Sequence, residues 1–538
     1  MFRKRFLAAL LAVLFLLGTL EARILYIGMK QPYSKVASQG KARTITVAQS
    51  RGSIYDRNGE RLVGETEKYF AVLKPNIASV SMLGSVLSEE RMAELFSEIG
   101  DERPLLVSIP RPLVDTENFK VLKTYERYAS PQIAAHLIGY LDSSKSEGVS
   151  GIEKSFDELL QGAAGKISAS FVVNGFGSVM EGEEINIREE NYNSAEGIEL
   201  TLDKKIQTAV EEALTNSTIE KGAVVVLDVK TSAILAMASR PAFDPNNLAA
   251  ALDDPNSPFI NRALTPYSVG SVYKPIVASA AIAAGIYPDY EYTCTGSIRV
   301  NNVVFNCHKH EGHGKINMDE AIALSCNVYF VNLAEQIGKE GIIDLSSKLG
   351  LGKSTTLAPN IINEAGILPA NAEIKNPGDL ANLSFGQGRL MATPLQMAAV
   401  YACYANDGVY NEPYLLQKML DGSGGVTANY VPGEGTRAMS MHITELMKRM
   451  MLLTVTDGSG KAAKPTLCTA AGKTATAQSG WYDENGNEVL QTWFAGYFPA
   501  EKPQYAVVVM KEDGSTPITD CAPVFKEIAD RILADYPL

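Results

Sequence analysis

Cysteine is scarce in this chain, with six residues in 538, all of them in the C-terminal half. So sparse a set excludes a disulfide scaffold of the small secreted type. A net charge of −12 argues against a general polyanion-binding role, nucleic acid included. The sequence also lacks a GxxxxGK[ST] phosphate loop, internal repeats and low-complexity tracts. What remains is the composition of ordinary globular domains, with 46% apolar and 20% charged residues.

One apolar run near the N-terminus determines the predicted compartment. A basic stub, residues 1–5, precedes an uncharged run over 6–20, and apolar residues continue to residue 28. The uncharged run is shorter than the ~20 residues of a spanning helix, which suits a signal peptide. Because no small-x-small cleavage site follows Leu20, we interpret 6–28 as an uncleaved transmembrane anchor. Basic residues before an anchor stay in the cytoplasm, so a single-pass protein of the cell membrane is expected, with the rest of the chain extracytoplasmic.

The remainder of the chain divides into two stretches that differ in composition. Residues 29–200 are polar and mixed, whereas residues 201–538 hold most of the apolar runs and all the chemical motifs. The second stretch starts with Asp203 as a predicted helix N-cap and a predicted β-hairpin, and it ends with further strand candidates and a helix. Helical blocks are predicted around 271–285, 318–338, 395–406 and 441–453. We therefore expect an α/β (α+β) domain in which both ends build one antiparallel sheet.

The sharpest chemical feature is the segment Gly270–Pro275, which contains Ser271-x-x-Lys274. Side chains at i and i+3 of a helix lie on one face, so Ser271 and Lys274 are expected to meet. A serine hydroxyl is a weak nucleophile until an adjacent base removes its proton. Lysine serves as that base when burial lowers its pKa from ~10.4, and the apolar residues after Lys274 predict such burial.

Two later motifs follow in the order of a known catalytic set, S-x-x-K, then S-x-N, then a basic strand. The second is Ser325-x-Asn327, where Ser325 can relay a proton to a leaving amine and Asn327 can bind a substrate amide. The third comprises Lys473, Thr474, Ala475 and Thr476. Its first two residues can hold a carboxylate, and the backbone N–H groups of Ser271 and Thr476 can form an oxyanion hole.

With these motifs the sequence resembles the class B, monofunctional branch of the penicillin-binding proteins over nearly its whole length. The segments 51–59, 127–139 and 151–153 resemble the family's signature and its pedestal domain, and 384–396 and 493–496 resemble the stretches around the third motif. The resemblance implies a pedestal or dimerisation-type domain over 29–200 and a transpeptidase domain over 201–538. It also implies a partnership with a membrane glycosyltransferase, of the family whose members serve cell shape, elongation, division and sporulation.

The reaction implied by the resemblance is peptidoglycan cross-linking. Ser271 is expected to attack the penultimate D-alanine carbonyl of a stem peptide and to expel the last D-alanine; an amine of a neighbouring stem then takes the acyl group. β-Lactams are expected to acylate Ser271, and no cofactor is required. One departure is Ala475, where the family usually has glycine. Its methyl is expected to narrow the cleft and weaken some β-lactams without abolishing activity.

A possible metal site overlaps the second motif. Cys294, Cys307, His313 and Cys326 supply three thiolates and one imidazole, a plausible closed set for structural zinc. The spacing lacks the tight C-x2-C pair of typical zinc knuckles. Two other interpretations stay open from the sequence: a Cys294–Cys307 disulfide, and unpaired buried thiols.

Two alternative functions also stay open. A serine β-lactamase-like hydrolase shares the Ser271 and Lys274 chemistry, although it needs neither an anchor nor a pedestal. A non-catalytic β-lactam-binding scaffold of the wall-synthesis machinery needs no intact Ser271, and the intact motifs argue against it.

Overall fold

A computed structural model describes residues 2–29, 42–174, 176–482 and 485–537. The chain forms two compact units, each assembled from separate segments. The first contains Met1–Ser50, Thr66–Glu126 and Ala164–Asn193, and the second contains Arg51–Glu65, Arg127–Ala163 and Ser194–Leu538. Two segments that precede residue 200 thus belong to the larger unit. The functional assignment of 29–200 as pedestal and 201–538 as catalytic domain stays a prediction.

The N-terminal segment is one helix, Phe2–Met29. Its 21 residues Phe6–Tyr26 are long and apolar enough to cross a membrane. At 1.5 Å per residue, this stretch spans about 31 Å, close to the thickness of a bilayer's hydrocarbon core. The predicted anchor therefore corresponds to a continuous helix, which the two charges Glu21 and Arg23 do not interrupt.

The first unit contains two small antiparallel sheets. One has the order Ala42–Ser50, Gly165–Val172 and Asn186–Glu190, and the other has Leu105–Ile109, Thr66–Leu73 and Phe119–Glu126. The remaining elements are short helices and 3-10 turns: Ile77–Ser81, Met82–Ser85, Glu89–Glu98 and Ile99–Asp101. Alternating buried and exposed residues along Leu105–Ile109 show that one face of its sheet covers an apolar core.

The second unit is built on a five-stranded antiparallel sheet. We number its strands in chain order: β1 Gly222–Asp228, β2 Ile234–Arg240, β3 Ala471–Tyr482, β4 Glu488–Phe498 and β5 Tyr505–Lys511. The spatial order is β2-β1-β5-β4-β3, which places the first hairpin beside strands from the end of the chain. This arrangement confirms the predicted sheet built from both ends of the domain, and it leaves β3 as an edge strand.

Helices cover both faces of this sheet. Lys204–Thr215 and the last helix, Ala522–Asp535, pack on one face with a core that includes Phe494 and Phe525. The inserted helices pack on the other face around a larger core. The helices of this unit are Ala135–Ile138, Gly151–Ser155, Asp157–Gly162, Lys204–Thr215, Ala249–Leu252, Lys274–Ala283, Met318–Ala323, Asn327–Ile337, Glu340–Lys348, Pro377–Ser384, Pro394–Ala405, Met441–Thr456 and Ala522–Asp535.

Short ribbons and turns complete the second unit. Three 3-10 turns lie at Gly270–Tyr273, Asn371–Glu373 and Lys461–Ala463. The remaining strands are Ser53–Tyr55, Gly197–Leu200, Tyr267–Ser268, Tyr292–Cys294, Ser297–Val300, Val303–Asn306, Gly314–Ile316, Thr355–Ala358, Ile361–Asn363, Met391–Ala392, Val409–Tyr410, Leu416–Leu420, Val426–Asn429 and Thr436–Arg437.

A buried ion cluster joins three segments before residue 200 that resemble the family, 51–59, 127–139 and 151–153. Glu153 is fully buried and receives the guanidinium Nε atoms of Arg51 at 2.9 Å and Arg127 at 2.7 Å. The Tyr128 hydroxyl donates to the same carboxylate at 3.1 Å, and burial raises the Tyr128 pKa. Two cations and a hydroxyl offset the cost of burying this one carboxylate. The three segments therefore meet at a single structural centre.

The turn after Arg51 is fixed to the start of the first long helix. Asp56 accepts hydrogen bonds from the backbone N–H groups of Asn58 and Glu60, both at 2.8 Å, which is turn chemistry. Its other oxygen accepts from the Lys204 N–H at 3.0 Å. Asp203 accepts from the next two N–H groups of the helix, which confirms the predicted N-cap.

Candidate active site

Ser271 lies in the 3-10 turn Gly270–Tyr273, which leads directly into the helix Lys274–Ala283. The sequence analysis predicts a helix from residue 271, and the first turn is tighter than predicted. Residues three apart eclipse each other in a 3-10 turn, so this geometry is compatible with the expected meeting of Ser271 and Lys274, which stays a prediction. Ser271 itself is half-buried, whereas Val272 and Tyr273 beside it are fully buried.

The residues around Ser271 are held from three directions. Gly270 has φ +58°, and its N–H donates to the carbonyl oxygen of Gly386 at 2.9 Å. A Cβ at Gly386 would lie 2.0 Å from the Gly270 carbonyl oxygen, so no side chain fits there. The Tyr401 hydroxyl donates to the Val272 carbonyl at 3.0 Å, and the Tyr273 hydroxyl pairs with a buried serine at 2.6 Å. These contacts fix the position of the nucleophile candidate before any ligand arrives.

The second motif interrupts the helix predicted over 318–338. Two helices replace it, Met318–Ala323 and Asn327–Ile337, and the break contains Ser325 and Cys326. Ser325 has φ +57°, a left-handed conformation that costs energy for a residue with a side chain. Cys326 caps the second helix, since its Sγ accepts from the Tyr329 N–H at 3.4 Å. The break is what turns Ser325 and Asn327 toward the first motif.

Lys274 connects the first two motifs. Its Nζ is 2.6 Å from the Ser325 carbonyl oxygen, 2.7 Å from Asn327 Oδ1 and 3.3 Å from Ser325 Oγ. The side chain is fully buried, and Nζ also lies 5.5 Å from the centre of the Phe330 ring. Asn327 is oriented at its other end by a 3.2 Å bond from Nδ2 to the Asn306 carbonyl.

The environment of Lys274 shifts its protonation equilibrium toward the neutral form. Burial away from water lowers the pKa of Lys274 from its ordinary value to about 8. Its hydrogen-bond acceptors are neutral oxygens, so they compensate only part of the cost of burying a charge. About a tenth of Lys274 is therefore an unprotonated amine at pH 7, far more than for an ordinary lysine, and this neutral form is the one that a general base requires.

The third motif lies on the edge strand β3 and contains a second buried ammonium group. Lys473 is fully buried, and its Nζ donates to the Thr474 carbonyl at 3.0 Å and approaches Thr474 Oγ1 at 3.5 Å. Within the described part of the chain, no carboxylate lies within ion-pair distance of it. Burial, and to a smaller extent the Lys274 charge, lower the pKa of Lys473 well below its usual range. A carboxylate bound beside this amine would stabilise its protonated form, so Lys473 is a candidate receptor for an incoming anion.

Thr474 and Thr476 follow on the same strand. Ser459 Oγ lies 2.8 Å from Thr474 Oγ1 and orients that hydroxyl. A Cβ at Gly270 would lie 3.0 Å from the Thr476 carbonyl oxygen, so the nucleophile turn runs directly against this part of β3. Thr476 is exposed, in contrast to the five buried residues before it on the strand. The structure thus brings segments of the three predicted motifs together, with Ser271 half-buried and Thr476 exposed.

Ala475 has an environment that its sequence position does not reveal. Its side chain is 2% exposed and belongs to the large apolar core, opposite Trp493 of β4. The methyl group therefore contacts protein rather than bulk solvent. Its predicted effect on β-lactam affinity stays a prediction.

Four potential metal ligands converge next to the second motif. The ligand atoms of Cys294, Cys307, His313 and Cys326 all lie within 4.8 Å of one another. Cys307 Sγ is 3.9 Å from Cys326 Sγ and 3.5 Å from His313 Nδ1. All six cysteines of the chain carry unpaired thiols in this structure. The predicted group is thus assembled in space, even though its spacing in sequence is irregular.

Close backbone contacts bring these four residues together. Tyr292–Cys294 pairs with Gly314–Ile316, which places Cys294 opposite Gly314 and beside His313. A Cβ at Gly296 would lie 1.9 Å from the His310 carbonyl oxygen, so the two loops approach more closely than any side chain permits. Three of the four ligand residues are buried and His313 is half-buried.

A separate polar cavity of about 740 Å³ lies in the same unit. Its lining includes Arg57, Asp203, Asp407, Lys448 and Tyr536, and none of the motif residues. Positive and negative groups are mixed there, and Lys448 already pairs with Asp407 at 2.6 Å. The convergent lysines and the half-exposed serine make the motif region the stronger candidate for chemistry.

Sequence reasoning missed several residues that support the site. Phe330, Tyr401 and Ser459 each contact a motif residue, yet none of them belongs to a recognisable pattern. Gly386 could be found, because it lies in the segment 384–396 that resembles the family; its role of close backbone contact with Gly270 required the structure.

Comparisons with known proteins agree with this geometry. The chain matches the family described as penicillin binding protein transpeptidase domain over residues 222–530. Penicillin-binding protein PbpB of Mycolicibacterium smegmatis is 29% identical, covering 93% of this chain and 85% of that protein. Peptidoglycan D,D-transpeptidase MrdA of Escherichia coli is 28% identical, covering 78% and 75%.

A solved structure extends the match. Penicillin binding protein 3 from Mycobacterium tuberculosis, complexed with ampicillin, is 26% identical with a TM-score of 0.65, covering 92% of this chain and 97% of that chain. The family match covers more than half of the chain, and the three motifs occur in order on a common sheet and helix framework. This chain therefore belongs to the penicillin-binding proteins, in their class B transpeptidase branch.

Proposed function

We propose that the protein is a peptidoglycan D,D-transpeptidase that works through a Ser271 acyl-enzyme and is acylated by β-lactams at the same residue. The observation that carries the proposal is a pair of fully buried lysines beside the Ser271 turn, one bonded to the second motif and one on the edge strand. Relatives named peptidoglycan D,D-transpeptidase and a neighbour solved with ampicillin support it.

Acylation begins with proton transfer from Ser271 to Lys274. A neutral amine has two N–H groups. One donates to the Ser325 carbonyl oxygen and the other to Asn327 Oδ1. Its lone pair is then free to take the serine proton. Ser271 Oγ attacks the carbonyl carbon of the penultimate D-alanine, and the backbone N–H groups of Ser271 and Thr476 stabilise the oxyanion.

Four further side chains orient the donor and release the product. The terminal carboxylate of the stem binds Lys473 and the Thr474 hydroxyl, and it supplies the negative charge that this buried ammonium lacks. Asn327 Nδ2 has a second N–H, beyond the one donated to Asn306, for a substrate amide. Ser325 Oγ, 3.3 Å from Lys274 Nζ, passes the proton to the departing D-alanine amine as the C–N bond breaks.

The second half of the reaction transfers the acyl group. The amine of a neighbouring stem attacks the Ser271 ester, loses its proton to Lys274 and forms the cross-link, which regenerates the free hydroxyl. A β-lactam follows only the first half, because its leaving amine stays attached through the opened ring. A hydrolase would instead admit water at this step, and a scaffold would not need the buried Lys274 beside Ser271.

We further propose that Cys294, Cys307, His313 and Cys326 hold a structural zinc ion. Two sulfurs bound to one zinc at ~2.3 Å in a tetrahedron lie about 3.8 Å apart. The Cys307–Cys326 separation of 3.9 Å fits that value. Cys294 and Cys307, the pair of the alternative disulfide, are both free thiols in this structure. Because Cys326 lies between Ser325 and Asn327, a metal there would hold the interrupted helix in the shape that the second motif needs.

The predicted location and partner complete the proposal. The helix Phe2–Met29 anchors the chain in the cell membrane with the catalytic domain on the extracytoplasmic side, where stem peptides are found. Cross-linking needs newly polymerised glycan strands. A membrane glycosyltransferase that makes them is therefore the proposed partner, held in the same bilayer by its own anchor.

Replacement of Ser271 by alanine tests the reaction. We expect the full chain in detergent to release D-alanine from a stem pentapeptide and to form cross-linked dimer in the presence of an acceptor amine. In Ser271→Ala, both products fall by more than about a thousandfold, because the acyl-enzyme cannot form. Mass spectrometry of the products measures this.

The matched control is Ser347→Ala, a half-buried serine on the helix Glu340–Lys348, which is expected to behave as wild type. Release of D-alanine with water as the main acceptor would favour the hydrolase. Equal activity of Ser271→Ala and wild type would exclude Ser271 as nucleophile.

The lowered pKa of Lys274 predicts a pH dependence. At saturating β-lactam, whose carboxylate keeps Lys473 protonated, the first-order acylation rate requires neutral Lys274. Since burial lowers that pKa to about 8, the rate should rise as pH increases, by about tenfold between pH 7 and pH 9. Lys274→Arg, which stays protonated, should be slow throughout. A wild-type rate that does not change over this range would contradict the assignment of Lys274 as base.

Metal analysis of the purified full chain tests the zinc proposal. We expect one zinc per chain, lost in Cys294→Ser together with part of the thermal stability, because the site closes a long loop. Cys403→Ser, which alters a buried thiol outside the group, should retain zinc. Failure of Cys294 and Cys307 to react with a thiol reagent after denaturation without reductant would instead show the disulfide, and full reactivity without metal would show free thiols.

A further inference from the structure

The end of β3 presents an exposed tryptophan. The chain has two tryptophans. Trp493 is fully buried in β4, and its indole N–H donates to the Ser268 carbonyl at 3.0 Å. Trp481, near the end of β3, is 75% exposed, and Tyr482 beside it is 66% exposed. Neighbouring exposed tryptophan and tyrosine side chains form a candidate contact surface, because both residue types are enriched at binding sites.

The hairpin holds Trp481 in a defined position. Gln478 pairs with Leu490 and Tyr482 pairs with Glu488, so β3 contains two more residues than β4 between these pairs. This bulge is closed by Ser479: its hydroxyl donates to the Val489 carbonyl at 2.6 Å and accepts from the Trp481 N–H at 3.0 Å. Bulges of this kind can re-aim side chains, and Trp481 lies within this one.

The direction of a bound stem along β3 follows from the motif roles, so this step rests on the proposed function. The terminal carboxylate lies at Lys473 and Thr474, and the reacting carbonyl lies at the Thr476 N–H. The stem residues nearer its attachment to the glycan must therefore extend past Gln478 toward Trp481. As an edge strand, β3 can accept an extended peptide in this antiparallel direction.

The lengths agree. Trp481 lies five residues after Thr476 on the strand, about 16 Å at ~3.3 Å per residue, and somewhat less across the bulge. Three extended stem residues and the link to the sugar lie before the reacting residue, and they cover about 10–14 Å at the same rise. The ring that carries the stem therefore reaches the level of the indole.

The chemistry of the hairpin favours a saccharide over a membrane surface. No lysine or arginine occurs between Thr474 and Gln491, whereas three acidic residues do. An anionic lipid headgroup would be repelled there. A pyranose ring is uncharged and presents a face of C–H groups, which suits the electron-rich face of an indole, and its hydroxyls suit the indole N–H.

We propose that Trp481 stacks on the sugar ring that carries the donor stem peptide, so that the β3–β4 hairpin selects donors attached to a glycan. The residue touches no reacting atom in this account. Its contribution is to the binding of one class of donor, and the acylation chemistry at Ser271 does not depend on it.

Two donors separate this contribution from catalysis: a free stem pentapeptide and the same peptide on its disaccharide. We expect Trp481→Ala in the full chain to raise KM for the disaccharide donor about tenfold, with kcat nearly unchanged and with both constants for the free peptide unchanged. Acylation by fluorescent penicillin should match wild type. Trp481→Phe should restore most of the lost binding, and Tyr287→Ala, another exposed aromatic of this unit, should have no effect.

A second measurement does not need turnover. Because Trp493 is buried, the disaccharide peptide should quench the Trp481 fluorescence, and Trp481→Phe should abolish the quenching. Equal loss of both donors in Trp481→Ala, or no loss of either, would overturn the saccharide contact. If wild type binds the disaccharide with quenching but releases no D-alanine, the proposed reaction fails while the contact stands.

Discussion

Two buried lysine amines, for which the described residues provide no carboxylate partner, set the chemistry of the second unit. Lys274 and Lys473 are both fully inaccessible to solvent, and the oxygens that accept from them belong to neutral groups. A positive charge on one lysine raises the free-energy cost of protonating the other, and the pKa of Lys473 is lowered in part by Lys274. The arrangement is unfavourable until a substrate brings a carboxylate to Lys473 and a proton is removed from Lys274. Binding of a C-terminal carboxylate thus prepares the site for serine attack.

The framework that maintains this arrangement consists of backbone contacts more than of side-chain packing. Gly270 and Gly386 touch through their main chains, the Ser271 turn lies against Thr476, and the left-handed Ser325 interrupts a helix. Each feature restricts the conformation of the backbone or strains it, as is common where a site is preorganised. The proposed metal adds a fourth constraint, because Cys326 belongs both to the ligand group and to the helix break.

Local signals in the sequence predict much of this structure. Asp203 as N-cap, the first hairpin, the last three strands and the final helix all follow from periodicity and turn chemistry, and the three motifs follow from residue type and order. Non-local geometry is not accessible in this way. The sequence does not show that Arg51, Arg127 and Glu153 meet in one ion cluster, or that the helical block 318–338 is interrupted at Ser325. Trp481 was missed because a single exposed residue leaves no pattern.

The most direct test of the account is to locate the β-lactam adduct on the intact protein. The full chain is incubated with a penicillin, digested, and mapped by mass spectrometry. The account predicts one adduct with the full mass of the penicillin, on the peptide that contains Ser271, and slow loss of that adduct after the free drug is removed. An adduct on any other residue, or the absence of an adduct from a folded protein, would contradict the assignment of Ser271 as the nucleophile prepared by Lys274.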